Sequence, residues 1–272
     1  ITTGVNNTLM GGLAGDALTT GVNNTAIGLG ALGTEDTGGQ NVAVGVNALA
    51  TLNFAGNGLN TAVGYAAGAA ITTGKENTLL GGNAGDALTT GHSNVALGYL
   101  ALSTEDTGRK NVAIGYRALK DQNHGIDNFN TVVGYDAGRS ISTGAQNTAV
   151  GGLSMDALTT GQRNVAIGTG TMTAANGSES RNVAVGWNCL ASMDSDGTAY
   201  NIAVGYNAGA AIITGVQNTT IGGLSGDSLN DGDGNVALGY HALSASVAGC
   251  SNTAVGVNAM GDGNASSTSG FN

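Results

Sequence analysis

Gly28 to Gly33 reads GLGALG, which fits the G-x-G-x-x-G spacing that lets a backbone turn approach a dinucleotide pyrophosphate. That chemistry needs a helix opening directly after the glycines, and no helical periodicity follows here, so nucleotide binding is not expected. The histidines His92, His124 and His241 are isolated, without the Cys/His spacing of a zinc site, and are expected in loops. Two acidic pairs, Glu35/Asp36 and Glu105/Asp106, have the residue types for the acid–base work of a glycosidase. They occupy equivalent places 70 residues apart, where the later sequence has Ala175/Asn176 and Ser246/Val247. A catalytic pair would not recur and then vanish, so these carboxylates are expected as solvated turn charge and the chain is not expected to be an enzyme.

Two further loops offer oxygen ligands: DSDGTAYN, with Asp194 and Asp196, and NDGDGN, with Asp231 and Asp233. Two carboxylates around a Gly turn suit a hard cation such as Ca²⁺, although neither loop ends in the glutamate of an EF-hand. Plain Asx turns are the competing reading, and no other cofactor is expected. Cys189 and Cys250 fall several coils apart, farther than the ~7 Å a disulfide can span, and Cys189 reads as a buried free thiol. The aromatics are more ordered. Tyr65, Tyr99, Tyr116, Tyr135, Tyr206, Tyr240 and the only tryptophan, Trp187, each directly follow a Gly at one place of a repeat. Lined up, they would offer platforms on which the sugar rings of a receptor stack, or would cover a corner or a subunit seam.

That repeat is what positions every one of these residues. A phrase such as NVAVGVNALA begins at Asn7 and returns fourteen times, at Asn24, Asn41, Asn60, Asn77, Asn94, Asn111, Asn130 and on to Asn252, with spacings of 17 to 19 residues. Counting from the Asn, the first place is Thr, Val or Ile, the second is mostly Ala, the third is a large aliphatic, and the fourth is always Gly, including Gly28, Gly45 and Gly64. A longer unit of four coils starts near residues 1, 71, 141 and 212. Thr, Val and Ile bounded by Asn and Gly predict a short strand, and ALTT, ALAT or ALST predicts a second strand across a turn. The fold class is therefore all-β: a β-solenoid of about fifteen coils in a single array over 1–272, with coils stacked about 4.8 Å apart. At that spacing a column of Asn amides forms a ladder, and the Gly supplies a positive φ or room for close backbone approach.

None of the 75 positions from Asn to Gly in the fifteen phrases is charged, so both strand faces are expected to be covered: one inside the coil, the other by the same strand of a symmetry mate. A three-fold assembly is preferred. The totals agree, with 49 Gly, no Pro, 4% aromatic and only 10% charged residues, too few large side chains for an ordinary globular core. The net charge of −10, with all eight basic residues between Lys75 and Arg181, argues against nucleic acid. No apolar run approaches the ~20 residues of a membrane span, so membrane insertion is not expected.

NVAVGVNAL, NTAIGLGAL and NVAIGYRAL resemble the V-A-I-G-x-x-A repeats of the β-roll heads of trimeric autotransporter adhesins. The longer form TTGxxNTAxGxxAL is similar to repeats in the shafts of bacteriophage tail fibres. The resemblance covers essentially the whole chain and implies a homotrimeric β-roll or triple β-helix, extracellular or on a virion, that contacts a cell surface. The coils, at 17 to 19 residues, are longer than the adhesin repeats of about 14–16. No stalk, anchor or chaperone region is expected within residues 1–272. The ending SGFN matches DNFN before Asn130, so Asn272 would open a sixteenth coil and the array is expected to be a segment of a longer one. The functional expectation is a rigid trimeric fibre segment of about 70 Å that spaces or presents glycan or receptor contacts. An end-to-end filament subunit, or a monomeric solenoid binding ice or a regular polymer, are the alternatives.

Overall fold

The computed structural model describes residues 1–245 and 247–261 and divides into two compact units, Ile1–Tyr135 and a second from Asp136 onward. Each unit is a parallel β-solenoid, and the described residues include no helix. The first unit contains β1 (Thr8–Met10), β2 (Thr25–Ile27), β3 (Val42–Val44), β4 (Thr61–Val63), β5 (Thr78–Leu80), β6 (Val95–Leu97), β7 (Val112–Ile114) and β8 (Thr131–Val133). Each strand pairs with the next in register, so that Thr25 lies opposite Val42, Ala26 opposite Ala43 and Ile27 opposite Val44. The second unit stacks β9 (Thr148–Val150), β10 (Val165–Ile167), β11 (Val183–Trp187), β12 (Ile202–Tyr206), β13 (Thr219–Ile221), β14 (Val236–Leu238) and β15 (Thr253–Val255) in the same way. Asn272 and Ser246, on which two of the sequence expectations fall, lie outside the described residues.

The second strand expected over ALTT, ALAT and ALST does not form; those residues are turns. ALTT lies beyond the eighth place; in ALAT and ALST the cause is a left-handed backbone at alternate places, the sixth and the eighth, as where Asn47 has φ 57° and Leu49 has φ 49°, and Leu100 has φ 56° and Leu102 has φ 52°. Such residues cannot lie in a pleat, and each costs roughly 1–2 kcal/mol when it is not glycine. Two gains offset that cost. Their N–H groups still bond between coils, the sixth to the preceding one (Asn47 to the Leu29 carbonyl at 2.9 Å) and the eighth to the next (Leu32 to the Ala48 carbonyl at 3.0 Å), and the eighth-place Leu side chains are driven fully into the core.

Within a coil the core is thin. The second-place alanines Ala26, Ala43, Ala62, Ala96 and Ala113 are completely buried, facing the eighth- and eleventh-place Leu32, Leu49, Leu52 and Leu88. Volume is conserved across it. Where β5 puts Leu79 at the second place, the eighth is Gly85, and a Cβ there would come within 2.9 Å of Leu79 Cδ2. The fourth-place Gly is needed for both reasons given by the sequence: Gly28 has φ 130°, and a Cβ on it would sit 2.5 Å from the Gly45 carbonyl oxygen.

The Asn column is a buried ladder. In the first unit the Asn41 N–H donates to Asn24 Oδ1 at 3.0 Å, Asn60 to Asn41 at 3.2 Å, Asn94 to Asn77 at 3.1 Å, Asn111 to Asn94 at 3.0 Å and Asn130 to Asn111 at 3.3 Å. Several side-chain amides also reach across the coil, as from Asn94 Nδ2 to the Gly108 carbonyl at 3.0 Å. The second unit repeats the pattern from Asn147 to Asn252. Each such bond contributes about 1 kcal/mol net, and an orphaned buried amide costs more, so the column fixes coil register.

Strand residues alternate in direction, so with Ala inside, the first and third places point outward. The expectation that both faces are covered is met inside the coil only; in the single chain the outer face is half-buried to exposed along every strand.

Candidate functional site

The fifth-place aromatics stand on the outer surface because the preceding Gly turns the chain at the strand end. All seven are exposed. In the first unit Tyr99 stacks on Tyr116 with centroids 5.8 Å apart, and Tyr116 on Tyr135 at 5.2 Å and an interplanar angle of 9°. The second unit stacks Trp187 on Tyr206 at 5.0 Å and tilts Tyr240 against His241. The coil spacing thus makes each ring the neighbour of the next. In these stacks the inner ring faces are spent on each other, so the stacked rings present their edges and outermost faces. Tyr65 belongs to the same row of places and is exposed, while Arg117 lies over Tyr116, 4.9 Å from its centroid.

The acidic pairs are not solvated turn charge, which corrects the sequence reading. Glu35 and Glu105 are completely buried, at the eleventh place where most other coils have Leu or Ile. Glu35 accepts the Gly38 N–H at 2.7 Å and the Phe54 N–H at 3.2 Å. Glu105 accepts the Gly108 N–H at 2.7 Å, the His124 N–H at 3.3 Å and Asn128 Nδ2 at 3.2 Å. Both sit just before a 19-residue coil and tie down its extra loop. Burial pushes the Glu105 carboxyl above its ordinary range, against the opposing pull of these donors. The partner residues Asp36 and Asp106 are half-buried and accept the hydroxyls of Thr19 and Thr89 from the preceding coil.

Sequence reasoning missed the third member of this set. Glu179, also completely buried, precedes the 19-residue coil of the second unit, but it lies in an 18-residue coil at the fifteenth place, four beyond that of Glu35 and Glu105. Its Oε2 accepts the Gly177 N–H at 3.0 Å, while its Oε1 is buried without a hydrogen-bond partner. Burial raises its pKa, and the charges of Asp194 and Asp196 push it the same way.

The two aspartate loops differ. Asp231 accepts the Thr214 hydroxyl and Asp233 the Val216 N–H, each at 2.8 Å, so these carboxylates are occupied as turn acceptors. Asp196, in contrast, points Oδ1 to within 2.5 Å of where a Cβ on Gly177 would lie, beside Glu179. Among the described residues no three His, Cys, Asp or Glu side chains converge as a ready metal cage. Gly28 to Gly33 runs from strand end into turns, and His92, His124 and His241 are dispersed. Cys189 is a buried free thiol, pushed up in pKa by burial, with Sγ 2.7 Å from the Gly205 carbonyl oxygen; Cys250 is also free.

No concave pocket opens among the described residues, which leaves the outer faces of the coils as what they offer to a partner. No helix among them is long and apolar enough to cross a membrane. No protein-family description matches the sequence, and neither does any curated protein.

Proposed function

We propose that the chain is a structural and adhesive fibre segment: three copies share their strand faces, and the assembled fibre spaces or presents contacts to a host-cell surface, as on a phage tail fibre or a bacterial surface adhesin. The observation that supports it best is the outer strand face. Met10, Leu80 and Leu97 in the first unit and Ile167, Ile221 and Val255 in the second, all third-place residues, are exposed in the single chain, on strand faces that carry no charge. Soluble monomers rarely leave such apolar strand faces open, whereas faces shared between copies explain their exposure and their lack of charge together. The aromatic row lies at the edge of these faces, where its hydroxyls can meet a receptor glycan. The threonines needed by an ice-binding reading are otherwise engaged, with Thr51 and Thr159 donating their hydroxyls to carbonyls of the next coil at 2.8 and 3.0 Å.

Light scattering on the 26.4 kDa chain tests the reading. Three times the monomer mass, independent of dilution and abolished by Ile114→Lys, is expected; a monomer would sink the trimer, and concentration-dependent lengthening would replace it with a filament. A glycan-array screen of the trimer then identifies the receptor class.

A further inference from the structure

We propose that Glu179 and the loop Asp194–Gly197 form a calcium-binding site that fastens the long coil of the second unit. The comparison with its sister loops carries the argument. Glu35 and Glu105 each have both carboxylate oxygens satisfied by N–H donors, mainly from the coil they hold. Glu179 has one oxygen engaged, by the Gly177 N–H of its own coil; the other, fully buried and unpartnered, faces a carboxylate of the long coil where its sisters face a donor. Asp196 Oδ1 and Glu179 Oε1 lie 2.5 and 3.6 Å from the same point above Gly177, whose missing side chain leaves that point open. They are thus within about 6 Å of each other, close to the ~5 Å that can separate two ligands of one Ca²⁺.

Among the described residues no cationic side chain is shown compensating this arrangement. Arg181, two residues from Glu179, donates to the Thr198 hydroxyl at 2.8 Å and lies over the Tyr200 ring, and the charges that act on Glu179 are those of Asp194 and Asp196. A buried unpaired carboxylate oxygen beside further carboxylates is costly unless a cation joins it. The ligands the geometry places together are oxygens, from Glu179 and Asp196, with the charge of Asp194 close enough to act on Glu179. An irregular all-oxygen set completed by water suits Ca²⁺, which accepts six to eight ligands in flexible geometry, better than Mg²⁺ with its strict octahedron or Zn²⁺ with its preference for N and S. The site does not depend on the trimer reading.

The test is calorimetric titration of CaCl₂ into the chelator-treated 272-residue chain, with thermal melts alongside. Saturable binding with Kd at or below about 1 mM is expected, with a higher melting temperature in Ca²⁺ than in equal Mg²⁺. Glu179→Gln and Asp196→Asn should each weaken binding about tenfold or more, while Asp231→Asn leaves it unchanged. Circular dichroism identifies any variant that fails to fold, in which case the other variant decides. Absence of saturable heat overturns the proposal, as does binding that survives both substitutions. If Ca²⁺ has no effect and Glu179→Gln removes a pH dependence of melting instead, the space holds a shared proton and the calcium assignment is wrong.

Discussion

In the first unit Glu105 is buried among three donors, whereas in the second unit Glu179, buried as completely beside a coil of the same length, has one donor and a carboxylate neighbour. The same residue type in a corresponding setting meets opposite local electrostatics. The difference teaches that the sign of a buried carboxylate's contribution is set by the loop beside it. Glu35 and Glu105 accept N–H groups of the long coil that follows, from Phe54 and His124, whereas Glu179 accepts only Gly177 of its own coil and meets a carboxylate of the long one.

The contrast is broken most forcefully by truncation. Glu105→Ala orphans the Gly108 and His124 N–H groups and Asn128 Nδ2, and at about 1–3 kcal/mol for each buried orphan, partly relieved by water, it should lose about 3–5 kcal/mol in chemical denaturation. Glu179→Ala orphans only the Gly177 N–H and should lose about 1 kcal/mol in chelator. Equal losses would erase the distinction between the two loops. Amide substitution then tests sign. Glu105→Gln turns an NH₂ towards N–H donors and should lose about 1–2 kcal/mol, while Glu179→Gln, in chelator, lets the amide donate to Asp196 Oδ1 and should gain about 1 kcal/mol. Asp196→Asn works on the same pair from its exposed side, where solvent screens the charge, and should gain about 0.5 kcal/mol.

The features that repeat in every coil were legible in the sequence. The Asn ladder and the fourth-place Gly announce themselves because stacking forces one chemistry onto one column. The second strand is not legible as turns because the left-handed places hold Leu49 and Arg117 as well as Asn47, and of these only Asn hints at a positive φ. Glu35 and Glu105 looked solvated because each precedes an Asp in a polar stretch, although both immediately precede a 19-residue spacing, and that signal was present. Glu179 escaped because Ala175 occupies the aligned place, and its pairing with Asp196 runs between coils, where linear spacing has no reach. Asp194 and Asp196 were found as an oxygen-rich loop, but half of their chemistry lay on the neighbouring coil.

The smallest effect sharpens the comparison along the pH axis. Burial holds the carboxyls of Glu105 and Glu179 above the ordinary glutamate value of 4.5, so in this range the folded chain binds protons more readily than the unfolded one. The stability these groups contribute is fully present below that value and is lost as pH rises through each folded pKa. Asp156 and Asp227, raised by burial as well, add to the same slope, so any one substitution removes only a share of it. In chelator, Glu179→Gln should flatten the fall in melting temperature between about pH 4 and 7, whereas in CaCl₂ the parent chain should already be flatter, because the ion selects the ionised carboxylate and opposes the proton. Glu105→Gln should flatten the slope equally in both buffers, since its neighbours are N–H groups that no cation replaces. A slope that responds to calcium at Glu105 as well would mean that the two loops are electrostatically alike, and the contrast between them would fall.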